Sequence, residues 1–137
     1  WSWEYEPAEP RKHQGTGIAK PWHKAMRLPG SDDLKRLATL FASIDWWTLL
    51  PDQELLAQQP AGKDSMKHVA AARSESGDLA VLYLPHGGRI RLQKERDNTD
   101  ANASWYNPRN GESKAAEPGK KGVFSAPHSK DWVLLIN

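Results

Sequence analysis

A chain of 137 residues is long enough for one domain with a buried core and too short for two complete ones. Nineteen Lys and Arg against 17 Asp and Glu give a formal charge of +2, with neither half a polycation, so phosphate-driven nucleic-acid binding has no electrostatic footprint. The absence of Cys removes disulfide frameworks, thiolate nucleophiles and Cys-ligated zinc, and no apolar run approaches the roughly 18 residues of a membrane span.

In chain order, residues 1–21 hold three Pro, two Gly and no apolar period, and read as a loop or extended excursion. Residues 22–27 (WHKAMR) suit a short helical turn ended by Pro29-Gly30. Ser31 then offers an N-cap with Asp32 and Asp33 in the first turn. Leu34, Leu37, Leu40, Phe41 and Ile44 follow at spacings of three and four, which predicts an amphipathic helix over 31–44. Trp46 and Trp47 come next in an apolar run closed by Pro51, and are expected to pack between this helix and the layer that follows.

From residue 66 the texture changes to short β-type runs separated by reversals every eight to twelve positions. The runs are 67–73, 79–84 (LAVLYL), 89–93 (RIRLQ), 103–106, 122–125 and 132–136 (WVLLI). Gly77-Asp78, Pro85-His86-Gly87-Gly88, Asn107-Pro108-Arg109-Asn110-Gly111 and Pro127-His128-Ser129 supply the turns. LAVLYL and WVLLI are continuously apolar and belong at the centre of the β core, whereas RIRLQ alternates as a strand with one wet face. The stretch 110–121 is expected to be a polar loop. Short strands with no intervening helix indicate a small antiparallel sandwich or barrel.

Chemistry is harder to place. Glu4, Glu6 and Glu9 alternate, and a glycosidic bond needs two facing carboxylates, but the bland reading is a solvated acidic loop. The five His are dispersed without a helical i,i+4 pair, so no metal site is expected. There is no GxSxG, and Gly15-Thr16-Gly17 lacks the strand and the Lys-Ser/Thr of a phosphate loop. No cofactor is implied. What remains is aromatic: the chain has seven Trp against a mean hydropathy of −0.76. Trp1, Trp3 and Tyr5 share a face if extended, and could stack on sugar or proline rings. Trp105 and Tyr106 must point to opposite faces of their strand. One is expected inside, the other at a rim near Arg109.

The runs WSWEYEP (1–7), WHKAMRLPGSDDL (22–34), LLPDQELL (49–56), LAVLYLPHGG (79–88), WYNPRNGE (105–112) and DWVLLIN (131–137) occur in an order that resembles the C-terminal part of apiosidase-like glycoside hydrolases. In those proteins a (β/α)8 barrel is followed by a β-sandwich that carries a collagen-binding label. The resemblance implies a mainly β chain: a small antiparallel β-sandwich over 49–137, preceded by a loop and one or two helices left over from the barrel in 1–48. The family's catalytic acids lie on earlier barrel strands absent here, so the resemblance implies no catalytic residue in this chain. Trp1, Trp3 and Glu4 would fall on the loop that reaches substrate, and Trp105, Tyr106 and Arg109 are binding-rim candidates.

The expected role is a non-catalytic accessory domain that braces the catalytic barrel through Leu37, Phe41, Trp46 and Trp47. Alternatives are a module gripping polysaccharide or collagen at the aromatic rim, and a contribution of the N-terminal loop to a hydrolase active site through Glu4 or Glu6 with Asp32 or Asp52. The exposed helix face could drive a homodimer. The resemblance implies a secreted or periplasmic protein. The chain, which starts at Trp1 without a signal-peptide pattern, is read as the interior of a longer gene product.

Overall fold

The computed structural model describes residues 18–93 and 102–137. Among the described residues two α-helices come first, α1 (Trp22–Ala25) and α2 (Pro29–Ala42), followed by eight strands: β1 (Leu49–Pro51), β2 (Ala70–Ser74), β3 (Ala80–Leu84), β4 (Arg89–Arg91), β5 (Ala103–Tyr106), β6 (Ser113–Ala115), β7 (Val123–Ser125) and β8 (Trp132–Ile136). The chain is mainly β and antiparallel throughout, as its pattern of short apolar runs predicts.

Six strands form one sheet in the order β1-β2-β3-β8-β5-β6, and β4 and β7 form a ribbon. The two continuously apolar runs, β3 and β8, are paired at the sheet's centre, with Leu82 opposite Leu134 and Leu84 opposite Trp132. Strand β8 is covered on both faces, which is why its run does not alternate, whereas in β3 Tyr83 stays 42% exposed on the face opposite Leu82 and Leu84. One face of the sheet carries Ala71, Leu82, Leu84, Trp105, Trp132, Leu134 and Ile136 into the main core, closed from the other side by Ile90 and Phe124 of the ribbon and by Leu55, Leu56 and Leu92. Backbone bonds from Ala57 N to Arg91 O (2.8 Å) and Gln93 N to Leu55 O (2.9 Å) tie the 55–57 segment to the ribbon.

Helix α2 covers part of the opposite face. Leu40 meets Tyr106 and Val133 there, with Val81 and Leu135 partly buried around them. The phenolic hydroxyl of Tyr106 donates to the Arg36 carbonyl at 3.0 Å, linking sheet to helix across 70 residues of chain.

Several local expectations change. The helix starts at Pro29, with Leu28 as N-cap and no side-chain cap, rather than at Ser31. Pro29 therefore opens a helix instead of ending one, because its fixed φ and missing N–H cost nothing in the first turn. Trp46 and Trp47 do not fill an interlayer seam: they are 51% and 68% exposed on a 3-10 turn, where Trp46 meets Phe41 edge-on at 6.0 Å. The polar stretch 110–121 contains β6, whose backbone pairs with β5 although all three side chains lie exposed.

Candidate functional site

The turn Asn107–Gly111 is built by its own side chains. The Asn107 carboxamide oxygen accepts from the Arg109 amide at 3.1 Å, and its carbonyl accepts from the Gly111 amide at 2.8 Å. Gly111 takes φ +81, open to glycine without steric cost. The turn projects Arg109 beside Asp131, whose carboxylate and carbonyl both accept from its Nη1. The guanidinium carbon also lies 5.4 Å from the centroid of Trp132.

Trp132 is the hub of this end of the sheet. The Nζ of Lys114 approaches its ring at 5.1 Å, His128 meets it at 4.9 Å, and Trp105 at 6.4 Å. Two cations on one buried indole is cation–π geometry. The indole N–H faces Nδ1 of His128 at 3.4 Å.

Of the rim candidates, Trp105 and Tyr106 do point to opposite faces, but both are buried, at 3% and 5% exposed. The expectation that only one could be inside fails because α2 gives the sheet's second face a cover. Trp105 enters the main core and Tyr106 the helix-side cluster. Arg109 is partly exposed and is the rim candidate with accessible polar surface. The substrate-contact candidates Trp1, Trp3 and Glu4, with Tyr5, Glu6 and Glu9, lie outside the described residues. Asp52, named as a carboxylate partner for that loop, is 3.2 Å from Arg73 in an ion pair. Asp32 lies in a small cleft of about 280 Å³ between α2 and the β5–β6 turn. Among the described residues, no three His, Asp or Glu converge as metal ligands, and no helix is long and apolar enough to cross a membrane.

The largest feature is apolar. Of the eleven large hydrophobic side chains exposed among the described residues, nine fall between Ile18 and Leu50, including Leu34 at 68%, Leu37 at 49% and Trp47 at 68%. The periodicity of α2 identified Leu34 and Leu37 as an apolar stripe. Only the structure shows that Leu40 alone of that helix is buried.

Comparison with solved structures places the fold. A protein titled "Glycoside hydrolase" superposes with a TM-score of 0.70 at 24% identity, over 90% of this chain and 29% of that one. A glycoside hydrolase family 5 protein from Bacteroides vulgatus ATCC 8482 gives a TM-score of 0.64 at 20% identity, over 93% of this chain and 29% of that one. Identities this low speak for shared fold alone, and the chain spans 29% of the length of each. Both likenesses reach beyond the sandwich into the helical front segment, since they cover nine-tenths of the chain. No curated protein matches the sequence. Residues 50–137, well over half of the chain, match the family described as "Putative collagen-binding domain of a collagenase", and the protein therefore belongs to that family.

Proposed function

We propose that this chain is the C-terminal accessory module of a carbohydrate-active enzyme of apiosidase-like type, secreted or periplasmic, and that it braces the catalytic barrel through residues 18–50. The observation that carries this reading is the segregation of exposed apolar side chains into that front segment. A lone domain rarely leaves so much apolar surface in one continuous stretch unless something covers it. The structural likenesses support the same role, since each partner is more than three times as long as the matched region and is named a glycoside hydrolase. The barrel is the partner of that surface, and the chain by itself has no hydrolytic activity.

The test uses the barrel-bearing protein. Leu37→Glu combined with Trp47→Ala is expected to lower the melting temperature of the barrel by several degrees while leaving the isolated chain folded. An unchanged barrel melting temperature contradicts bracing. Release of reducing sugar by the isolated chain, lost on Glu4→Gln, would instead favour the loop as part of an active site. A second reading, a polysaccharide- or collagen-binding module with its rim at Trp105, Tyr106 and Arg109, narrows to Arg109, since the two aromatic side chains are buried and Arg109 keeps exposed side-chain surface. It predicts that Arg109→Ala abolishes retention on an immobilised ligand.

A further inference from the structure

A cleft of about 680 Å³ opens where the β6 edge of the large sheet meets the β4–β7 ribbon. Its lining includes Arg89, Lys114 and Lys120 against one carboxylate, Glu117, with Ser125 and the buried Trp105. Three cations thus share the cleft with a single carboxylate, and among the described residues none of the three pairs with one. Arg89 and Lys114 are held on strands, Arg89 facing Ser125 across the ribbon and Lys114 facing Trp105 across β5 and β6, while Lys120 lies on the turn before β7. Lys114 is fixed further by its approach to Trp132.

We propose that this cleft is a binding site for a carboxylate-bearing saccharide, a uronic-acid chain. Three unneutralised cations spread along an open cleft match repeated carboxylates. Glu117 and Ser125 suit sugar hydroxyls as acceptor and donor, a pairing that a peptide of carboxylates alone would leave unused. The cleft lies on the face of the sheet opposite α2 and at the edge opposite β1. One side of the module can therefore rest on a barrel while the other holds substrate chain. This inference rests on the assignment of the chain to a carbohydrate-active enzyme.

Calorimetry on the intact chain at low ionic strength tests it, with hexagalacturonate as probe, its fully methyl-esterified form as neutral twin and hexaglutamate as a peptide of equal charge. Hexagalacturonate is expected to bind at least tenfold more tightly than either. Arg89→Gln with Lys120→Gln should weaken it by about tenfold or more, since each removes a charge-assisted contact. Both side chains are exposed, so an unchanged urea midpoint is expected to show that the fold persists. Lys120→Glu provides a second variant and should weaken binding further. Absence of binding, or affinity unchanged in both variants, overturns the proposal. Equal binding of hexaglutamate overturns it in favour of an acidic peptide. None of these outcomes involves the barrel, so failure here with a lowered barrel melting temperature for the Leu37 and Trp47 variant would remove the cleft and leave the bracing role standing.

Discussion

Tyr106 is held at both ends, its ring against Leu40 and Val133 and its hydroxyl on the Arg36 carbonyl. Tyr106→Phe keeps the packing and removes one partly buried hydrogen bond, so urea unfolding should show a loss of about 1 kcal/mol. Gly87 is more demanding. It sits at φ +59, and a Cβ there would lie 2.2 Å from the His128 carbonyl oxygen. Gly87→Ala should cost more than about 2 kcal/mol, and Gly77→Ala, at φ +82 in open space, about 1 kcal/mol. Equal losses would show that the backbone contact does not matter. In the β2–β3 turn, Ser76 and Ser74 donate to Asp78 at 2.6 and 2.7 Å, holding its carboxyl below the usual carboxylate range. A depressed carboxyl adds stability that is fully present above its unfolded pKa and is lost as pH falls through its folded one. The urea midpoint should therefore fall on acidification through the carboxylate range, and Asp78→Asn should flatten that dependence. Little of this residue-level detail was legible in sequence. Opposed faces for Trp105 and Tyr106 follow from strand geometry, but their shared burial depends on a helix more than sixty positions away.

Strand β8 shows what a sequence can say about an element. WVLLI has no polar face because β3 and β5 flank it and both faces are covered, so its continuous apolar run marked the sheet's centre. Leu134 is fully buried, and Leu134→Ala should cost about 3 kcal/mol in urea unfolding, whereas Leu50→Ala, on edge strand β1, should stay within about 0.5 kcal/mol. The edges were illegible for the converse reason. Strand β6 is SKA with every side chain exposed, and β1 ends in Pro51, so backbone pairing rather than an apolar pattern defines both. The cationic cleft carries no apolar pattern either, since Lys114 and Lys120 lie in what reads as a polar loop. Trp46 and Trp47 misled in the other direction: an aromatic pair signals burial, but not which body does the burying.

At the scale of the molecule, the chain divides its apolar residues unevenly. Past residue 50 the large ones are almost all inside, with Met66 and Tyr83 the exposed exceptions among the described residues. Before it they face outward, around a helix anchored by Leu40. An isolated chain with such a surface should self-associate, and light scattering over a dilution series should show dimers that Leu34→Lys with Leu37→Lys converts to monomers. The most direct test of a covered front segment is hydrogen exchange over residues 18–51, measured on this chain diluted to the monomer and on the barrel-bearing protein. Bracing predicts that amides of α2 and of Trp46–Pro51 exchange much more slowly in the larger protein while those of β3 and β8 are unchanged; equal exchange of the front segment in both would contradict it.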